Sequence, residues 1–531
     1  MSSFHACAQH AQIRRQQPAG DKNFTLQEVQ TAVLLFVMTQ NAPLDTVEAV
    51  QRITRRIDAI GERDHGIFMG LSWYYIKLIL LTGIGWAMDS METFIFTYCS
   101  SLIREDIPQS SRQASFLGGA VFVGSFIGSF PFGSLADKYG RRPMFMVTMF
   151  IFLFGLAFCG FSWNVTSLTF ARIISGIGLG GELPVASTLV QELSPKKTRG
   201  KIIVLLESFW AIGCMIAVVM AFGVAPKIGW RETFFICCIP VVYAAAIRFY
   251  IPESPKWLAS VGRYDEAVAI VESIERAHGL DPYDPKSELE TGETATVASP
   301  QQLPDSHLKR IGMLFQRQFR VRTTVLWTLW FGISMSYYAI FIYLPTLIGL
   351  KGYNMNGQWE TILVITAFQL PGYFAAAGLV EVIGRKQTLV IFLAGAFASA
   401  IAMGYVEAEK MPVMVTGSFV SFFMLGAWGC VYAYTPENYP TAIRGMGAAY
   451  PSGFSRIGSF SGPYLCASMF SDWNMSLEAI MWVFGGMLMV VSAIVLFFGY
   501  EPRGKNVELY DEEDKRTEKG SGVFEAVQTP N

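Results

Sequence analysis

GSLADKYGRRP occupies residues 133–143, and GLVEVIGRKQT occupies 378–388. The two stretches hold an acid, a glycine and two cations in register: Asp137 with Glu381, Gly140 with Gly384, Arg141 with Arg385, and Arg142 with Lys386. Further along, Glu192, Pro195, Arg199 and Gly200 match Glu437, Pro440, Arg444 and Gly445. The offsets are 244 and then 245 residues, so the chain contains two copies of one unit with the same orientation. In each copy the acid closes an apolar run and is followed by cations, which suits charge-assisted bonds that latch two helices in one state and release them in another. A plain basic loop would have no reason to repeat that register. Asp137, Arg141, Arg142, Glu192, Arg199, Glu381, Arg385, Glu437 and Arg444 are therefore read as a gate.

Composition says what lies between the repeated loops. Of 531 residues, 52% are hydrophobic and only 16% charged, where a soluble chain carries about a quarter charged residues. Mean hydropathy is +0.36. A span needs about 20 apolar residues, and twelve stretches qualify. Segments 1–6 lie near 75–98, 116–136, 143–163, 168–190, 203–223 and 230–250. Segments 7–12 lie near 323–348, 358–380, 387–406, 412–434, 446–470 and 478–499. The sequence thus predicts an all-α membrane protein. Its parts are an N-terminal extension (1–70), a six-helix bundle (71–250), a polar linker with short helices (251–322), a second bundle (323–500) and a tail (501–531).

Lys and Arg set the orientation. Lys138, Arg141 and Arg142 follow segment 2; Lys196, Lys197, Arg199 and Lys201 follow segment 4; Arg385 and Lys386 follow segment 8. The opposite loops are poor in both, so even-numbered segments and both termini are expected in the cytosol. The run TAVLLFVM at 31–38 follows Arg14 and Arg15 but is too short to span. It reads as part of an amphipathic cytosolic helix, and 1–70 and 500–531 read as polar tails. A net charge of −1 gives no reason to expect a nucleic-acid partner. The eight cysteines form no CxxC pair and have no neighbouring His, so neither a metal nor any cofactor is expected.

Six ionisable residues sit at membrane depth: Asp89, Glu92, Arg172, Glu182, Glu207 and Arg456. Each costs roughly 2.5–3.5 kcal/mol at a helix centre, and six unpaired would cost on the order of 15–20 kcal/mol, more than a domain's typical stability. They must pair, face water or be neutral. Asp89 and Glu92 are three apart and share a helical face, so at least one of them can hold a proton, with Arg172 as the natural counter-charge; a fixed structural ion pair is the alternative. Glu182 precedes Pro184, a site of bending; it is either a second proton site or a partner for backbone freed by the proline. Glu207 is open between function and structural pairing. Arg456, among small hydroxylated neighbours in GFSRIGSFSGP, suits a substrate carboxylate; the bland alternative is a pair with Glu437 or a backbone carbonyl. Trp86, Tyr337 and Tyr338 could stack a flat ring, while Trp210, Trp327, Trp330 and Trp428 read equally as packing.

The 133–143 loop resembles the signature of the major facilitator superfamily, and the likeness runs over about 75–505. ARIISGIG at 171–178 resembles that superfamily's fourth-helix pattern. PESPKWL (252–258) and EPRGK (501–505) resemble the sequences after helices 6 and 12 of sugar porters. GLGGELPVASTLV with LLESFWAIG (205–213) is similar to the niacin permease group and its aromatic-acid and organic-ion relatives. The resemblance implies twelve helices in two pseudo-symmetric six-helix bundles around a substrate site near the midplane. It also implies an Asp on helix 1, here Asp89, that exchanges between a proton and an Arg on helix 4, here Arg172. Aromatic-acid relatives carry DxxD on helix 1; this chain has DSME, with the longer Glu92 second. In organic-ion relatives an Arg at the position of Arg456 accompanies organic-anion transport. The glycines of GIGLGG imitate a dinucleotide fingerprint, but a membrane-length helix is the wrong context for one; close helix contact explains them.

The expected activity is secondary transport by a monomer at the plasma membrane, with proton-coupled symport of a small aromatic carboxylate such as nicotinate. A hexose or an organic cation is the alternative cargo, and a non-transporting receptor on the same scaffold is a third class. The glutamine pair and QQxxGxN-like run of sugar porters are absent from LLESFWAIG and WFGISMSYYAIF, and no antiporter signature occurs in 203–223. No nucleophile–base constellation suggests an enzyme. All five histidines lie outside the spans.

Overall fold

The computed structural model describes residues 42–63, 70–239, 250–280, 312–349, 359–407, 409–439 and 441–502. Its described elements are helices. Ten are long and apolar enough to cross a membrane, from Trp73–Tyr98 (segment 1) to Leu477–Phe498 (segment 12). Segment 11 is the 31-residue helix Thr441–Ser471. Segment 6 begins as Trp230–Ile236, and 240–249 fall outside the described residues. The apolar run at 31–38 does so as well.

Local chemistry sets the helix ends. Ser110 and Gln113 form a reciprocal cap at the start of segment 2, and Asn164 and Ser167 do the same for segment 4, each satisfying backbone donors that a helix start leaves open. Segments 2 and 8 stop at Gly140 and Gly384, with φ of 106° and 98°. A side chain at either position would be strained. The duplication read from the sequence therefore extends to backbone geometry.

Segments 2, 3 and 4 pack together in the first half, as do 8, 9 and 10 in the second; segments 2 against 11 and 5 against 8 join the halves. The glycines of segment 4 make this possible. A Cβ on Gly176 or Gly180 would collide with the Val121 or Ser125 carbonyl of segment 2, and one on Gly178 would meet Thr148 and Phe152 of segment 3. The equivalent contact in the second half uses Gly372 against the backbone of Phe422. In lipid, where chains compete equally for apolar contact, such close backbone approach holds helices together.

Residues 42–63, expected as part of a polar tail, differ from that reading. Ala42–Arg63 is one helix, and it packs on the linker helices Pro255–Ser260 and Tyr264–Ala277. Ile53 and Ile57 recur at helical spacing and are fully buried with Val271 and Leu258. Arg56 donates to both carboxylate oxygens of Glu275 at 3.0 and 2.8 Å. The Asp58 carboxylate accepts from the Lys196 amide at 2.7 Å, which ties this helix to the basic loop after segment 4. Polarity averaged over the extension hides the apolar stripe.

Candidate functional site

The repeated loops form two matching clusters on the basic face. In the first, Arg141 reaches Asp137 at 2.9 Å and Glu192 at 3.2 Å, and a guanidinium nitrogen donates to the Ala136 carbonyl. In the second, Arg385 grips Glu437 with two bonds of 2.8 and 3.1 Å and donates to the Val380 carbonyl. The amides of Arg141 and Arg142 donate to Glu253, as those of Arg385 and Lys386 donate to Glu501. These two acceptors escaped the sequence reading. The cue lay in PESPKWL and EPRGK, each with a glutamate beside a proline just past the sixth span of its half.

Not every gate residue has the expected partner. Glu381 stands where Asp137 stands in the first half, yet it meets Lys201 at 3.7 Å across the two bundles. Arg199 donates to the Ser194 carbonyl at 3.2 Å. For Arg142, the contact shown is the backbone one. The side chain of Arg444 lies outside those described.

At membrane depth the ion pair differs from the Asp89–Arg172 pair expected. Arg172 donates to Glu92 at 2.8 Å and to the Leu117 and Gly118 carbonyls, both at 3.2 Å. Its guanidinium also lies 4.1 Å from the centre of the Phe96 ring. The reason is position along the axis. Segment 1 runs from the basic face to the opposite one, while Arg172 lies in the second turn of the helix Val165–Leu193, which starts at that opposite face. Glu92 is about 4.5 Å further along than Asp89, at 1.5 Å per residue, and is one methylene longer.

Asp89 is thereby left fully buried, and neither carboxylate oxygen has a hydrogen-bond partner among the described residues. The charged groups acting on it are Glu182, Arg456 and Glu92. Glu182 is buried too, with Oε1 2.6 Å from where a Cβ on Gly85 would stand and Oε2 without a partner. It thus lies against segment 1 one turn before Asp89. The bend expected at Pro184 concerns a side chain outside those described, and the helix runs on to Leu193.

Between the bundles lies a narrow chamber of about 20 Å³, walled by Glu207 and Trp210 of segment 5, Trp330, Tyr337 and Tyr338 of segment 7, Tyr373, Leu425, Trp428, Tyr432, Ser455 and Arg456. Glu207 and Arg456 are both buried. Glu207 Oε2 accepts from the Trp86 indole at 3.2 Å, whereas Oε1 and the Arg456 Nε have no partner among the described residues. Glu437 pairs with Arg385, and among the described residues no ion pair joins it to Arg456. The Trp210 indole donates to the Tyr337 hydroxyl at 2.7 Å, a bond between the halves. Tyr338 leans on Phe122 with centroids 4.5 Å apart. Trp327 packs elsewhere, on Phe315 and Phe454. Tyr373 and Tyr432 were missed; Tyr432 follows Trp428 by four residues, which places both on one helical face.

Segment 5 is irregular at this level. It breaks after Glu207, resumes at Phe209, and carries a π-helical stretch at Val219–Val224. Such stretches concentrate at functional sites. A second cavity opens on the face opposite the basic loops, lined among others by Phe96, Ser100, Arg104, Gly118 and Tyr343. Phe96 and Gly118 touch both this vestibule and Arg172, so the Arg172–Glu92 pair lies just beneath its floor. A cavity thus lies on that face and the ion-paired loops on the basic one.

Known proteins match this arrangement. The sequence pattern of the sugar (and other) transporter family covers residues 81–513. The niacin transporter NiaP of Acinetobacter baylyi is 37% identical over 435 residues, covering 82% of this chain and 96% of its own. A putative niacin/nicotinamide transporter NiaP of Bacillus subtilis is 34% identical, over 81% of this chain and 98% of its own. The xylose transporter XylE from E. coli, in a partially occluded inward-open conformation, superposes with a TM-score of 0.64 at 18% identity, over 82% of this chain and all of that one. That likeness fixes the twelve-helix, two-bundle major facilitator fold.

Proposed function

The chain belongs to the sugar (and other) transporter family of the major facilitator superfamily, and from that membership we propose that it is a proton-coupled symporter of a small aromatic carboxylate such as nicotinate. The observation that carries this reading is the chamber between the halves. It combines a ring-lined wall with a buried guanidinium, Arg456, that has an unpartnered nitrogen. Guanidinium binds carboxylate as a planar fork, and flat aromatic walls suit a flat ring. The polar lining is otherwise tyrosine, tryptophan, Ser455 and Glu207. A hexose, which needs many amide and hydroxyl partners, is poorly served by that set.

Coupling is assigned to Asp89 with Glu182. Both are enclosed carboxyls with oxygens that lack partners, and Arg456 acts electrostatically on Asp89. Protonation of Asp89 would leave Arg456 free for an anion, and its loss on the other side would favour release. Glu92 and Arg172 hold the vestibule floor above this pair. On this reading the ion-paired loops form a cytosolic gate, both termini lie in the cytosol, and a monomer acts at the plasma membrane.

Purified protein in vesicles should accumulate labelled nicotinate when the outside is made acidic, and unlabelled benzoate should compete. Failure to move nicotinate under any gradient would end this reading. A second reading rests on Glu207 among aromatic rings, a setting that also suits an organic cation. Competition by quaternary ammonium compounds in place of aromatic acids would select it.

A further inference from the structure

Arg456 accounts for the carboxylate of an aromatic acid; the chamber also presents a second, differently charged group, Glu207. Glu207 is buried, and its two oxygens are not equivalent. Oε2 is occupied by the Trp86 indole N–H, while Oε1 is enclosed and has no partner among the described residues. No ion pair within 4 Å joins Glu207 to Arg456 among the described residues. The titratable or charged groups facing Glu207 are Arg456 on segment 11, Tyr373 on segment 8 and Tyr432 on segment 10.

We infer that Glu207 reads a ring nitrogen: in its protonated form it donates a hydrogen bond from Oε1 to an acceptor nitrogen of the substrate ring, while Arg456 holds the carboxylate. The cargo class is then a heteroaromatic carboxylate of the pyridine type, as opposed to aromatic acids in general. This deepens the reading of the previous section and rests on it. The chemistry balances without a covalent step. Oε2 keeps its bond from Trp86, the carboxyl proton stays on Oε1, and the ring nitrogen lone pair receives it. A carbocyclic acid of the same shape leaves that buried donor without an acceptor, and a site built around a hydrogen bond rejects ligands that cannot make it. Trp86, which does not line the chamber, is a positioning residue that fixes which oxygen of Glu207 is free.

The test compares binding of nicotinate and benzoate to purified full-length protein, for wild type, Glu207→Gln and Glu207→Leu. The amide of Gln keeps an N–H donor; Leu does not. Wild type and Glu207→Gln should prefer nicotinate to benzoate by roughly tenfold or more, as a buried donor left without its acceptor implies. Glu207→Leu should bind both about equally, and its retained benzoate binding shows that the variant is folded. Equal binding of the two acids by wild type, or an unchanged preference in Glu207→Leu, overturns the role of Glu207 while leaving aromatic-acid transport standing. Loss of the preference in Glu207→Gln overturns it as well. If wild type binds neither acid, the transport reading itself fails and takes this one with it.

Discussion

Arg172 bonds to Glu92 at 2.8 Å, with both side chains fully buried, and leaves Asp89, one turn away, without a hydrogen-bond partner among the described residues. On the proposed reading the two acids of DSME have separate tasks: Glu92 holds the ion pair and Asp89 changes protonation state. Removing one member of a buried ion pair strands the other charge, at a cost of about 3–5 kcal/mol. Glu92→Leu is expected to lower thermal stability in detergent by that order, and Glu92→Leu with Arg172→Met should recover most of it. Asp89→Asn should unfold close to wild type. A larger loss from Asp89→Asn than from Glu92→Leu would reverse the assignment.

Asp89→Asn separates coupling from movement. An amide cannot shed a proton, so the cycle loses its main step that responds to a pH gradient, although the loaded carrier can still rock. Expected is loss of gradient-driven accumulation with nicotinate exchange retained. Wild-type uptake should fall as the external proton concentration falls, and the variant should be much flatter. Full accumulation by Asp89→Asn would remove Asp89 from the coupling role. Glu182→Gln should blunt the pH response without abolishing binding, since it does not line the chamber.

The gate offers a backbone test. Gly140 and Gly384 hold φ of 106° and 98°, and a Cβ at Gly140 would also collide with the Glu253 carboxylate that caps the next helix. An L-residue in such a conformation costs about 1–3 kcal/mol. Gly140→Ala should loosen the latched state, seen as faster labelling of a cysteine placed in the basic-face gate and as a fall in outward-facing occupancy. The Lys201–Glu381 bridge is half-exposed and crosses the halves. Exchanging the two charges should restore labelling rates that either single reversal disturbs.

Much of this was legible beforehand. The repeat at 133–143 and 378–388 carries over to matched φ values and matched Arg141–Glu192 and Arg385–Glu437 pairs. The glycines of GIGLGG mark a helix contact, as their spacing said. What failed was choice among near neighbours. Asp89 and Glu92 are both acids on one face, and only the axial offset of segments 1 and 4 decides which meets Arg172. Tyr373 and Tyr432 were invisible because aromatics abound in every span, and only the fold says which ones face the chamber. The docked helix Ala42–Arg63 was hidden because its apolar stripe is short and set among many charges.

On the proposed reading, cargo recognition turns on Arg456. It shares the chamber wall with Tyr338, whose hydroxyl lies within hydrogen-bonding reach of it. Lysine keeps the charge but loses the planar fork, so Arg456→Lys should raise KM for nicotinate by roughly 10-fold or more with a smaller effect on the maximal rate, in line with the 1.5–3 kcal/mol of a charged hydrogen bond. Arg456→Ala should abolish uptake. Because Arg456 also acts on Asp89, the lysine variant should shift the pH dependence of uptake less than the alanine variant shifts that of binding. If nicotinamide, which lacks the carboxylate, binds wild type as well as nicotinate does, or if both acid and amide lose affinity equally in Arg456→Lys, then the guanidinium is not the carboxylate's partner.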